Sequence, residues 1–142
     1  MVKEAPLDSI IETGTPLNAL INESLIETIF TPPTPLHDGA VVIKGDYIIA
    51  AGCILPITQN QFLDKSLGLR HRAALGISEE SDAIAIVVSE ETGNISLAVE
   101  GQLLRNITSD ELKEYLITYF SQEENGNNNK IQNFFLKKGA KI

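Results

Sequence analysis

An α/β (α+β) domain, with helices around a mixed central β-sheet, is what the chain's order of elements predicts. Three observations carry it. Helix-period and strand-period segments alternate along the chain, several strands are joined by two-residue turns, and 142 residues suffice for a single globular domain with a real core but not comfortably for two. The composition, 43% hydrophobic and 21% charged, is that of a globular protein.

The elements follow in order. Residues 1–14 form a polar entry with a short helical turn over 8–12, ended by Gly14. Residues 16–21 alternate enough for a short strand. Asn22 caps a helix whose Leu25, Ile26, Ile29 and Phe30 make one stripe, and Thr31-Pro-Pro-Thr-Pro35 stops it. Residues 41–44 and 47–55 read as strands of a hairpin turned by Gly45-Asp46. Ala50-Ala51-Gly52 has little side-chain bulk, which permits close approach of a neighbouring layer or a ligand. Residues 59–66 are a loop or short helix ending at Gly68, and 70–77 an alanine-rich helix followed by a polar break at 78–82.

Residues 83–88 (Ala-Ile-Ala-Ile-Val-Val) are apolar on both faces and suit a central strand. Turns at 91–94 and 100–101 then separate strands 95–99 and 102–105. Thr108-x-x-Glu111 is a capping box opening an amphipathic helix over 109–120, with Leu112, Leu116, Tyr119 and Phe120 inward. This assigns 1–120 to the globular domain and 121–142 to a polar linker and a basic C-terminal tail.

Charge and composition narrow the function. The net charge is −8, but 130–142 hold four lysines and no acid, so 1–129 carry seven basic against nineteen acidic residues, or −12. That body argues against nucleic acid bound over a broad basic surface. A small polyanion remains open if cations are gathered locally. The longest apolar runs fall well short of the roughly 18 residues a membrane-spanning helix needs. No signal peptide is visible at the N-terminus. The lone Cys53 leaves no internal disulfide and fits a cytoplasmic setting.

Two stretches hold the chemistry. Thr34-Pro-Leu-His-Asp-Gly-Ala40 places a carboxylate beside a glycine at a strand entrance, and Leu67-Gly-Leu-Arg-His-Arg-Ala-Ala74 sets three basic side chains in a row. A carboxylate near such cations suits metal-assisted chemistry on a phosphate ester. Taken singly, Asp-Gly is an ordinary turn and Arg-His-Arg an ordinary solvated helix start. Consecutive helical residues point about 100° apart, so the three cannot all face one phosphate from a regular helix. One arginine is therefore expected in a structural salt bridge.

Together, with Ile11-Glu-Thr-Gly14, Leu55-Pro56 and Val88-Ser-Glu-Glu-Thr-Gly93, these motifs resemble the diadenylate cyclase domain, in particular its CdaA-type members, over 7–116. The resemblance implies condensation of two ATP into cyclic di-AMP with release of two pyrophosphates, by a homodimer of face-to-face domains. It implies Asp38 as the catalytic acidic residue, with Gly39 and Ala40 completing the motif. Leu55, Arg70, His71, Arg72, Ser89 and Glu90 would contact ATP, with His71 and Arg72 favoured for phosphate. His37, Asp38 and Glu91 would hold a divalent metal, Mn²⁺, Mg²⁺ or Co²⁺.

It further implies a cytoplasmic domain whose parent is anchored by a preceding membrane segment missing here. Leu69 replaces the small hydroxyl residue usual before Arg-His-Arg, and Ile54 replaces a frequent aromatic, which would shift adenine stacking to a residue such as Tyr47. A nucleotide-binding sensor without turnover is the alternative, and an adaptor acting through the acidic surface and basic tail is the rival from another class.

Overall fold

The computed structural model of the chain describes residues 5–89 and 91–125. Within them lie four helices and six strands, α1 (Ala5–Glu12), β1 (Thr15–Leu20), α2 (Glu23–Phe30), β2 (Ala40–Lys44), β3 (Tyr47–Cys53), α3 (Leu69–Glu80), β4 (Ala85–Val88), β5 (Ile95–Val99), β6 (Gln102–Ile107) and α4 (Ser109–Asn125). The α/β class holds. Its strands are shared between two three-stranded sheets, ordered β1-β3-β2 and β4-β5-β6, and every pairing is antiparallel. The chain divides into two compact units at Pro56.

In the first unit β3 is the middle strand. Ile48 and Ala51 on it are fully buried, and they pack with Ile29 of α2 and the half-buried Leu17, Leu25, Ile26, Leu36 and Val41. The side chain of Asn22 accepts the Leu25 N–H at 2.8 Å and so caps α2 as the sequence predicts. β1 lies at the sheet edge, the position where a sheet tolerates a proline such as Pro16, and Asn18 takes φ 49° at an irregularity between Pro16 and Ala19. β3 ends at Cys53 rather than continuing to Leu55. The Ile54 N–H donates to Thr13 Oγ1 at 2.8 Å, and that takes the chain out of the ladder.

In the second unit a helix covers each face of the β4-β5-β6 sheet. Adjacent residues of a strand point to opposite faces. Ala98 packs with Leu67, Ala74, Leu75 and Val87 on the α3 side, while Leu97 packs with Leu104, Ile107 and Tyr115 on the α4 side. Two expectations change here. The polar break expected from 78 is helix through Glu80. Ser78 and Ser81 are fully buried, their hydroxyls donating to the carbonyls of Leu75 and Ile77, and the Ser78 hydroxyl also accepts the Gly101 N–H. The 83–88 strand is not central within its sheet: β5 is in the middle, and Ile86 and Val88 of β4 stay about half exposed.

The capping box forms, with Glu111 N–H donating to Thr108 Oγ1 and Thr108 N–H to Glu111 Oε1. α4 runs on to Asn125, into the segment read as linker. The remainder of the tail lies outside the described residues. No helix among the described residues is long and apolar enough to cross a membrane.

Candidate active site

The acidic motif leads into β2 of the first unit. Thr34 sets it up. Its hydroxyl donates to the Ile29 carbonyl at the end of α2, and its own carbonyl receives both the His37 N–H and His37 Nδ1, the latter at 2.6 Å. A carbonyl only accepts, so the proton of the neutral ring is on Nδ1 and the lone pair of Nε2 is left for another partner. Asp38 follows, exposed. Gly39 then takes φ +125°, and a Cβ built on it would meet the carbonyl carbon of Gly52 at 2.8 Å and its Cα at 2.9 Å. The bare Ala50-Ala51-Gly52 stretch thus receives the motif's own backbone. Ala40 pairs with Cys53 as β2 begins, and Leu55, half buried, lies just beyond β3.

The basic motif opens α3 in the second unit. Gly68 is its N-cap and provides no side-chain hydrogen bond, and the first turn contains no acid. Arg70, His71 and Arg72 therefore stand at the end of the helix where backbone N–H groups already point outward. Each positive charge at such an end is disfavoured by about 0.3–1 kcal/mol, and an anion bound there reverses the sign.

The three side chains diverge as helical geometry requires. Arg70 is exposed, and His71 is half buried. Desolvation, and then the charge of Arg105 on β6, hold the His71 imidazole pKa below its usual value. Arg72 is held by two backbone carbonyls. Its Nε donates to Leu67 O at 3.1 Å and its Nη2 to Asp64 O at 3.2 Å. The helix is tied on a second side by Thr58, which donates its N–H to the Arg72 carbonyl and its hydroxyl to Glu79.

Ser89 follows β4 directly and closes the next turn. Its N–H donates to Asn94 O, its carbonyl receives Gly93 N–H, and its hydroxyl accepts from Thr92 N–H at 3.4 Å, keeping its own proton to donate. Glu91 is exposed. Glu90 lies outside the described residues. The acidic motif and Leu55 thus belong to one unit, and Arg70, His71, Arg72, Ser89 and Glu91 to the other.

The sequence reading passed over two groups. Arg105 adds a fourth basic group to the surroundings of His71, and no spacing rule links a residue on β6 to one on α3. Phe62, in the loop before α3, is 96% exposed and the most exposed of the large apolar residues among those described. Only its aromatic character in a polar loop could have singled it out.

The same residues bear on whether a divalent metal fits the site. Among the described residues no group of three or more His, Cys, Asp or Glu side chains is gathered into a cage. His37 does carry the feature of a ligating histidine, an Nδ1–H given to a backbone carbonyl with Nε2 left over. That fits a divalent ion held by few protein donors and completed by water and phosphate oxygens.

Comparison with known proteins decides the family. The profile described as "DisA bacterial checkpoint controller nucleotide-binding", the DAC family, matches residues 1–103. The chain belongs to that family. It is 54% identical over 117 residues to the diadenylate cyclase of Listeria monocytogenes, and 49% identical over 120 residues to the cyclic di-AMP synthase CdaA of Bacillus subtilis. These alignments cover 82% and 84% of this chain but only 43% and 44% of those proteins, so the chain spans less than half the length of these relatives.

Among solved structures, a double mutant of DacA from Staphylococcus aureus superposes with a TM-score of 0.76 at 47% identity. That match covers 80% of this DAC chain and 75% of the other. A Bacillus cereus protein described as a hypothetical membrane spanning protein superposes with a TM-score of 0.68 at 51% identity, over 72% and 50% of the two chains.

Proposed function

We propose that the chain is the catalytic domain of a diadenylate cyclase, condensing two ATP into cyclic di-AMP and two pyrophosphates. The observation that carries this reading is the first turn of α3, where three basic residues and no acid crowd a helix N-terminus. Family membership and the named relatives turn a polyphosphate site into a cyclase site.

The reaction needs each half of the motif pair. The ribose 3′-oxygen of one ATP forms a bond to the α-phosphorus of the other. The bond from that phosphorus to the β-phosphate bridging oxygen breaks, and pyrophosphate leaves with its electron pair. Asp38 accepts the proton of the 3′-hydroxyl. Gly39, lacking a Cβ, keeps that carboxylate at the entrance of β2. Arg70, His71 and Arg72 bind the phosphates and neutralise charge on the departing pyrophosphate, with Ser89 donating its hydroxyl proton to a phosphate oxygen. Leu55 offers the base an apolar face, and Phe62 a ring. His37, Asp38 and Glu91 would hold the divalent ion, which supplies positive charge to the phosphate oxygens. Repeating the transfer closes the ring.

One domain holding one ATP requires a second domain facing it, and a symmetric pair of identical chains meets that need. Residues 1–120 carry the activity. A preceding segment of a longer protein would anchor it to the membrane, with the domain on the cytoplasmic, ATP-rich side. This agrees with the description of the Bacillus cereus relative.

The test is incubation of the purified chain with ATP and Mn²⁺ beside Asp38→Asn, with products separated by chromatography. Cyclic di-AMP from the wild type alone supports the reading, and specific activity should rise with protein concentration. Tight ATP binding without product, across metals and concentrations, supports a sensor instead.

A further inference from the structure

The turn before α3 is closed by several hydrogen bonds centred on one residue. Asp64 is used there three times. Its carboxylate Oδ1 accepts the Ser66 N–H at 2.9 Å, its carbonyl receives the Leu67 N–H at 3.0 Å, and the same carbonyl receives Arg72 Nη2 at 3.2 Å. Its second carboxylate oxygen lies 4.0 Å from Arg105 Nη1. Leu67, which ends the turn, is buried against Ala74, Leu75, Val87 and Ala98, and its carbonyl receives Arg72 Nε. The turn is therefore pinned to the core at Leu67 and folded shut at Asp64, and its two inward carbonyls hold the guanidinium of Arg72.

We propose that Asp64 is a positioning residue for Arg72: by closing the 64–67 turn it sets the two carbonyls that aim the guanidinium at the triphosphate. A guanidinium is planar and rigid, so two bonds from Nε and one Nη fix its plane and direct its remaining N–H groups outward. The side chain of Asp64 is 66% exposed, so it is not there to fill space. A carboxylate or amide one methylene from the backbone is the group that can reach the N–H two residues on. This inference rests on the reading of α3 as a phosphate site, but not on turnover.

The experiment therefore reads binding and product separately. ATP affinity of the full chain is measured by calorimetry for the wild type, Asp64→Ala, Asp64→Asn and Asp64→Glu, and for Asp64→Ala with Arg72→Ala beside Arg72→Ala alone. Asn keeps the turn acceptor and loses the charge facing Arg105. Glu keeps the charge and is too long for the turn. The proposal expects Asn to bind ATP as the wild type does, and Ala and Glu to bind roughly tenfold more weakly, the scale of one charge-assisted hydrogen bond lost.

It also expects Asp64→Ala to add nothing in the Arg72→Ala background. Asn failing while Glu binds normally would overturn it in favour of the Arg105 ion pair. An undiminished tenfold effect without Arg72 would overturn it in favour of general disorder of the turn. A wild type that binds no ATP would overturn it along with the phosphate site, whereas ATP binding without cyclic di-AMP leaves it standing while sinking the cyclase reading. Should Asp64→Ala not fold, Glu against Asn decides alone.

Discussion

Gly39 and Gly52 touch backbone to backbone: a single methyl group on Gly39 would lie 2.8 Å from the carbonyl carbon of Gly52. Both take positive φ, +125° and +66°. Gly39→Ala thus meets a steric clash and an unfavourable φ together, and should destabilise the chain by about 2–3 kcal/mol. Cyclic di-AMP production should fall with it, since Asp38 is the neighbouring residue. Gly45→Ala is the control. Gly45 has φ +61° and nothing within 4 Å, so only the backbone term of about 1–2 kcal/mol applies. Denaturant melts of the two variants should separate them, and equal losses would mean the contact does not matter.

His71 gives the site a pH signature. Its folded pKa lies below the usual 6.5, through desolvation first and the charge of Arg105 second. The unfolded chain then binds more protons at this residue in the window just below pH 6.5. Its contribution to stability is accordingly present above pH 6.5 and is lost as pH falls through the lowered folded value. His71→Gln should flatten that part of the stability curve. A bound triphosphate offsets the charge of Arg105, raises the pKa and draws in a proton. ATP binding measured below pH 6.5 in buffers of different ionisation enthalpy should show proton uptake in the wild type and less in His71→Gln.

Leu97 tests whether stability and binding are separable. It is fully buried on the α4 side of β5, with Leu104, Ile107 and Tyr115. Leu97→Ala should cost about 3 kcal/mol, transfer and cavity together. ATP affinity of the folded fraction should be unchanged, because the basic turn packs on the opposite face through Leu67. A parallel loss of both would place the site under the control of the α4 core.

Thr108→Ala removes the acceptor for the Glu111 N–H at the start of α4 and should cost about 1 kcal/mol. Thr108→Ser keeps the hydroxyl and should recover most of it. Thermal melts of the pair check this, and no difference between them would show that the box contributes nothing measurable.

What the sequence made legible was chiefly local. Asn22, the Gly45-Asp46 hairpin and the Thr108–Glu111 box announce themselves because the bonding partners lie within a few residues. Ser78 and Ser81 misled, since a polar side chain reads as a break unless its hydroxyl is known to bond back to the helix. The 83–88 strand misled for a related reason: apolar residues on both faces do not say where a strand stands in its sheet. At the candidate site, the motifs marked residues but not the contacts that hold them. That Arg72 is held by two carbonyls, one of them from Asp64, and that Asp64 also faces Arg105, depends on a turn and a distant strand that no periodicity encodes.

The two sheets also differ in how far along the chain their partners lie. β4, β5 and β6 each pair with the next strand in sequence, whereas β1 meets β3 across α2 and β2, and the bond from Ile54 to Thr13 spans 41 positions. Long closures lose chain entropy before any contact rewards them. In a refolding experiment read by pulsed hydrogen exchange, amides of β4–β6 should gain protection first and those of β1 last. Leu55 and Pro56, which leave the sheet where Thr13 clasps Ile54, would then be among the last residues to find their places.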